Sequence, residues 1–487
     1  MLQYYVVSSL LALIALSLAR SCRTMNALSI AHSAAYLALS LYALLYAGLP
    51  EYYSAEQYLF IDHLGAYEIL IAAAIFLLAA VYSGGYVESL ARHGEFGKGS
   101  IKLFYIGFNI LLFVTAMAFM SNNLALFWIF TELTTFFSAL LIAIRNSRKN
   151  IDASLKYIFV TSIAMLFSFI GLIFLFAFTQ RYFSAGTLTW SVLMLHAQAL
   201  PQNIMMVVFA FTFIGFAAKA GIAPFHTWLP HAHSKAPSQI SAVLSAVLLN
   251  VGLYGILRMY SIARQTMAAG MISSLLIAFG LLSILIAAFS MLQQKNLKRL
   301  IAFSSIENMG LILMGVGIGT PLSIFWALFH TLAHSLTKAL IFLSAGILHS
   351  QYASSRIERM KDLFRLQPLA SWCLIIGSAA ITGMPPSMVF LSKLSLLIQI
   401  GGASPILLAI VLLLFLAASS AFAIFLLTAF SQTGGEHAQE KPYAITAGMK
   451  ISLAVLVVVI IAVGLYFPDF LENSLNTIAT ELGFQVT

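Results

Sequence analysis

An all-α, multi-pass membrane protein is the fold class this sequence predicts, and three observations carry that expectation. Hydrophobic residues make up 61% of the 487 and charged residues only 8%, with a mean hydropathy of +0.96. Soluble domains carry about 25% charged residues. Apolar runs of roughly 20 residues, the length that crosses about 30 Å of hydrocarbon, recur from end to end. The basic residues gather in alternate short loops. Strand-period alternation is absent, which argues against a barrel. The net charge of +9 does not point to nucleic acid, because it resides in those loops. Cys22 and Cys373 are too few and too far apart for a metal or iron–sulfur motif.

Fourteen spans are expected, near residues 3–20, 27–49, 65–85, 103–121, 123–144, 155–178, 204–224, 238–262, 270–292, 300–318, 322–347, 368–400, 404–430 and 448–467. The first lacks a basic leader and a cleavage site and is expected to be retained. With both termini outside, 19 of the 25 Lys and Arg fall on the cytoplasmic side, Lys361 and Lys441 among them. Only Arg181, Arg258 and Arg264 fall outside, and Lys219, Lys338 and Lys393 are left within the membrane. That asymmetry is the positive-inside pattern. The outer segments are acidic instead, with Glu51, Glu56 and Asp62 early and Asp469, Glu472 and Glu481 late.

Two spans are interrupted. The seventh reads FAAKAGIAPFHTWLP, with Lys219 five residues before Pro224; the twelfth reads ITGMPPSMVFLSKLSLL, with Lys393 seven residues after Pro386, itself preceded by Pro385. Proline removes a backbone donor and clashes with the carbonyl four residues back. In lipid such a break survives beside protein or a wet cavity. Breaks five spans apart run in opposite directions, as in an inverted repeat. The chain therefore divides into 1–102, a first five-helix unit 103–262, a second 270–430 (spans 4–8 and 9–13) and a tail 431–487.

Ionisable groups inside these runs carry the functional reading, since a charge at the bilayer centre costs at least about 2.5–3.5 kcal/mol. Glu132 lies mid-span with no charged neighbour in its own helix, and Lys219 is its natural partner. A structural ion pair is the plain alternative. His330, His334 and Lys338 are spaced i, i+4, i+8 and share one helix face. Two histidines four apart suit a metal or haem, but the lysine one turn on opposes a second cation; a titratable row suits a proton relay. Lys393 is the last intramembrane charge before the outer surface and reads as the exit group. His226, His231, His233 and Lys235 follow the first break and mark either proton uptake or an interfacial anchor. Glu307 is assigned to Lys298 or to the channel.

These segments resemble a known family, the antiporter-like subunits shared by respiratory complex I, multi-subunit cation/proton antiporters and membrane-bound group 4 nickel–iron hydrogenases. The resemblance rests on WIFTELTTFFSALL around Glu132, KAGIAPFHTWLPHAHSKAPSQISAVLS after Lys219, QQKNLKRLIAFSSIENMG and FHTLAHSLTKALIFLSAG. The wording ELTT, SSIEN and PPSMVFLSK is similar to the hydrogenase-4 and formate hydrogenlyase branch. It implies that Glu132 and Lys219 form a carboxylate–lysine pair, that His330, His334 and Lys338 are the central relay, and that Lys393 is the terminal switch. It also implies a non-redox, proton- or sodium-translocating subunit of a prokaryotic inner-membrane complex, without cofactor or metal of its own. Its partners would be other integral membrane subunits and a peripheral redox module carrying iron–sulfur clusters, with nickel–iron or quinone chemistry. The alternative is a sodium/proton antiporter without electron transfer; a third reading is a quinone- or haem-handling enzyme. Three features depart from the pattern. Ser245 and Asn250 stand where many relatives place a histidine or lysine, so water, hydroxyls or Lys235 must link Lys219 to His330. Asn296 replaces a usual aspartate. The chain is expected to lack the long lateral helix of some complex I relatives.

Overall fold

The computed structural model describes residues 1–46, 48–53, 57–92, 96–145, 147–182, 186–360, 362–431 and 442–484. Glu56, Lys361 and Lys441, counted above by charge, lie outside the described residues. The first half of the chain forms α1 (Leu2–Leu18), α2 (Cys22–Tyr46), α3 (His63–Arg92), α4 (Lys98–Phe119), α5 (Leu124–Ala143), α6 (Arg148–Tyr182), α7 (Trp190–Leu195), α8 (Gln202–Lys219), α9 (Trp228–Lys235), α10 (Ser238–Val243) and α11 (Leu249–Arg264). The second forms α12 (Ala269–Leu292), α13 (Leu297–Ile318), α14 (Pro321–Tyr352), α15 (Leu363–Leu366), α16 (Pro368–Thr382), α17 (Met388–Ala403), α18 (Pro405–Ser431), α19 (Ala447–Leu465) and α20 (Asp469–Glu481). Among the described residues twelve helical segments are long and apolar enough to cross a membrane. Three more, α1, α16 and α17, are apolar but shorter. A short antiparallel hairpin, β1 (Glu51–Tyr53) with β2 (Leu59–Ile61), was not expected from the sequence.

Loop contacts sort the helix ends onto two faces. On the hairpin face, Leu59 bridges Ser121, Asn123 bridges Thr189, and His63 meets Glu481. On the basic face, Asn296 bridges Arg356, and Asn150 donates to the carbonyl of Lys235. The α10–α11 span, α13 and α14 form the core, with α10–α11 wholly buried. Outer helices such as α6 and α18 show Phe159, Ile163, Leu413 and Leu427 to the surroundings, as lipid-facing helices must.

Helix starts follow local chemistry. Asn123 caps α5 by accepting from the amides of Ala125 and Leu126, and Ser387 caps α17 through Phe390. Asn296 caps α13 through the Arg299 amide. The replacement of aspartate noted above therefore retains this capping role.

The two breaks share one hydrogen-bond pattern, and glycine rather than proline ends both helices. Gly221 (φ +73°) donates to Ala218 while Ile222 reaches back to Ala217; Gly383 (φ +92°) donates to Ala380 while Met384 reaches back to Ala379. Each is a Schellman end with glycine in the left-handed conformation, followed by proline within three residues. Lys219 is consequently the last residue of α8, and Lys393 lies within α17, beyond its break. The α10–α11 span carries a π-turn at Leu244–Leu248, where the Ala246 carbonyl accepts from Ser335 Oγ of α14 at 2.5 Å.

Gly252 of α11 is where the end of α8 rests. A Cβ there would lie 2.3 Å from the Ala220 nitrogen and 2.6 Å from the Phe216 oxygen, both backbone atoms that cannot step aside cheaply. Gly252→Ala is expected to cost about 1–3 kcal/mol by overpacking, read as a lowered thermal unfolding midpoint in detergent. An unchanged midpoint would show that α8 is not seated on α11 as described.

Candidate functional site

Lys219 is 1% exposed. Its ammonium donates to Thr135 Oγ1 of α5 at 2.7 Å and Tyr157 OH of α6 at 3.3 Å. Its place at the carboxyl end of α8 puts a cation where the helix dipole favours one. Tyr157 is fixed in turn by Ser138 at 3.0 Å and by the Trp228 ring, 4.4 Å away between centroids. The expected direct ion pair with Glu132 is not formed. Glu132 is half-buried and points toward α6, where Ser162 donates to Oε2 at 2.8 Å, while Oε1 is buried without a protein partner. Thr135, one turn along α5 from Glu132, holds the lysine instead.

The second half of the site converges on one turn of α13. Four polar residues of its SSIEN segment are buried, and each holds a different group. Ser304 Oγ accepts from Lys338, which also donates to the Ile301 carbonyl at 2.8 Å. Ser305 bonds Ser245 of the π-turn at 2.8 Å. Glu307 forms an ion pair with Lys393 at 2.9 Å. Asn308 Oδ1 faces His330 Nε2 at 3.0 Å. Because Asn308 Nδ2 is committed to the Ser304 carbonyl, the histidine donates from Nε2; its Nδ1 meets Ser392 at 2.7 Å. His330, His334 and Lys338 share the buried face of α14 as their spacing predicts.

Several sequence assignments change. Lys393 is 4% exposed, paired with Glu307 and 4.4 Å from the Phe415 ring. Glu307 therefore does not serve Lys298, whose ammonium reaches the Ala236 carbonyl at 3.0 Å. Arg258 is not in an outer loop: it is 2% exposed and paired with Asp62 at 2.7 Å. Lys235 stands at the basic face rather than between Lys219 and His330. Burial first, then the cations Lys149, Arg299 and Arg356, lower its ammonium from the usual lysine range. Of the three histidines after the first break, His231 is exposed and His226 half-buried; only His233 is fully buried, stacked 4.7 Å from Phe342. Burial, with Arg299 and Lys156 adding to it, lowers His231 from the usual histidine range. The prolines Pro224, Pro385 and Pro386 lie in the breaks but do not end the helices.

No hydrogen-bond chain of protein atoms alone joins the partners of Lys219 to Ser245 among the described residues. Polar atoms without protein partners recur in the buried interior on α9, α10 and α14: both ring nitrogens of His233 and of His334, both side-chain polar atoms of Gln239, and Thr337 Oγ1. Buried polar groups carry hydrogen bonds in nearly all proteins, so these atoms are candidates for contact with buried water. Residues the sequence reading missed are Thr135, Tyr157 and Asn308. The SSIEN turn itself, four polar side chains in five core positions, was the signal available for Asn308 and for Glu307 as a partner.

A family profile described as NADH:quinone oxidoreductase/Mrp antiporter, transmembrane, matches residues 121–420. The chain belongs to that family. Those residues take in α5 to most of α18, and with them Glu132, Lys219, the SSIEN turn, the α14 row and Lys393. The hydrogenase-4 component F homolog of Methylacidiphilum infernorum is 31% identical over 353 residues, 72% of this chain and 74% of that one. A Na(+)/H(+) antiporter protein of Alkalihalophilus pseudofirmus is 27% identical over 296 residues, 61% of this chain and 59% of that one. In fold, a chain from the membrane-bound sulfane sulfur reductase, an archaeal respiratory membrane complex, superposes with a TM-score of 0.87 at 24% identity, covering 99% of this chain and 96% of that one. This member of the NADH:quinone oxidoreductase/Mrp antiporter family is thus an antiporter-like, multi-pass membrane subunit.

The Glu307–Lys393 pair can be tested directly. Removing one partner of a buried pair leaves the other charge uncompensated, a loss of about 3–5 kcal/mol. Glu307→Ala is expected to show that loss in reversible unfolding from mixed micelles, and adding Lys393→Met is expected to recover most of it. Additive losses in the double variant would contradict the pairing.

Proposed function

We propose that this chain is the proton-translocating membrane subunit of a redox-driven ion pump of the hydrogenase-4 or complex I-like kind. The observation that carries this is the α13 turn, where Ser304, Ser305, Glu307 and Asn308 gather Lys338, Ser245, Lys393 and His330 into one buried polar row. Charges so placed are costly in lipid and mark ion paths. The proton would pass from the Glu132–Lys219 region by water and the Ser245–Ser305 hydroxyls to Lys338, His334 and His330, then leave as the Glu307–Lys393 pair opens. The pair would provide the switch: closed, each charge neutralises the other; open, Lys393 is released from Glu307. Lys235 and the histidines His226, His231 and His233 are assigned to uptake from the basic face, with His233 the innermost.

The matching Gly–Pro breaks support a division into two inverted five-helix units, spans 4–8 and 9–13 of fourteen, flanked by 1–102 and 431–487. The basic loops support a prokaryotic inner membrane with both termini outside. The relative named as a hydrogenase-4 component supports partnership with further membrane subunits and a peripheral module bearing iron–sulfur clusters, with nickel–iron or quinone chemistry.

Lys219→Ala is expected to cut redox-driven proton movement in membrane vesicles at least ten-fold while the complex remains assembled; wild-type movement would defeat the relay. Mass spectrometry of the intact complex separates this reading from a sodium/proton antiporter. Iron–sulfur subunits are expected to co-purify, and small membrane subunits alone would favour the antiporter.

A further inference from the structure

A second polar row leaves the α14 row along α11. Asn250, Tyr254 and Arg258 follow one another at i, i+4, i+8 on α11, so they line one face running toward the hairpin face. At its inner end Asn250 Nδ2 donates to Ser335 Oγ at 3.3 Å, next in sequence to His334, and to Glu68 Oε2 of α3 at 3.1 Å. Glu68 is 2% exposed, and no cation lies within ion-pair distance of it among the described residues. Asn250 Oδ1 is buried and has no protein partner, so the junction is open to a further donor. At the outer end Arg258 donates to both Asp62 oxygens, at 2.8 and 2.7 Å, and to Tyr254 OH at 2.7 Å. Its guanidinium lies 4.2 Å from the Trp190 ring, and Asp62 and Trp190 line a cavity of about 310 Å³ with Phe60, Ser191 and Glu481.

A carboxylate kept only for packing would be expected to have a cation or several donors. Glu68 has one neutral amide, placed between the relay helix and a row that ends at a cavity on the hairpin face. We propose that Glu68 is a protonatable station at the head of a second, outward branch, carrying protons from the α14 row past Asn250 and Tyr254 to Asp62 and that cavity. The inference rests on the transport reading above. The Glu68 carboxylate takes a proton that water beside Ser335 relays from a protonated group of the α14 row, which is left neutral, and becomes a neutral acid; it then gives that proton up to water running past Tyr254, whose hydroxyl donates to the Phe119 carbonyl, toward Asp62, and regains its charge. Between Asn250 and Tyr254 the links must be made by water, and the outer end holds a fixed guanidinium, so the branch suits a proton and repels a hydrated metal cation.

The test uses the complex as isolated from its native membranes and reconstituted in vesicles. Glu68→Gln, which keeps the shape, is expected to lower proton movement at least ten-fold, and Glu68→Asp, which keeps a titratable group, to retain most of it. In the infrared, the carboxyl band lost in Glu68→Gln is expected to shift in the wild type soon after transfer to D2O. Equal losses in the Gln and Asp variants, or a band that ignores D2O, would assign Glu68 to packing and overturn the branch. Wild-type movement in Glu68→Gln beside an inactive Lys219→Ala would overturn the branch alone. Wild-type movement in Lys219→Ala would instead strike down the transport reading itself.

Discussion

A charge inside lipid must be answered by other protein groups or by water, and that constraint shapes the centre of this molecule. Two buried ion pairs are formed among the described residues on the interior helices, Lys393 with Glu307 and Arg258 with Asp62. Lys219 and Lys338 have no carboxylate in contact and are held by hydroxyls and a carbonyl. The contrast separates the lysines held by neutral groups from the one held by a carboxylate.

The fold makes this possible by stopping two helices inside the bundle. A continuous helix satisfies its own backbone and leaves no room for a lysine to approach partners from its end. The Schellman ends at Gly221 and Gly383 satisfy the last carbonyls locally, so the chain can turn without leaving orphaned groups in an apolar interior. Gly252 then lets α11 close on the end of α8, bringing the α8 terminus against the wholly buried span. The π-turn beside it presents the Ala246 carbonyl to Ser335, tying the α10–α11 span to α14.

Much of this was legible in the sequence. The i, i+4, i+8 spacing placed His330, His334 and Lys338 on one face, because helix geometry alone decides that. The family motifs and the interrupted spans were equally visible. Pairing was not. Glu132 and Lys219 approach without touching because side-chain direction on α5 sends the carboxylate to Ser162, which no spacing rule reports. Glu307 finds Lys393, 86 residues away, through a crossing of α13 and α17. Arg258 and Asp62 were assigned to loops because hydropathy counts a charge near a helix end as exposed; the Trp190, Tyr254 and Phe60 rings around the guanidinium make burial tolerable. Glu68 was overlooked for a similar reason, lying early in a span with no motif around it.

The gap between Tyr157 and Ser245 is the point on which the account stands. A high-resolution density map of the complex in lipid tests it most directly. Ordered water is expected there, in hydrogen-bond contact with Gln239, His233 and Thr337, continuing the polar row from Lys219 to Lys338. Tightly packed apolar side chains filling that space, with no water within reach of those atoms, would contradict it.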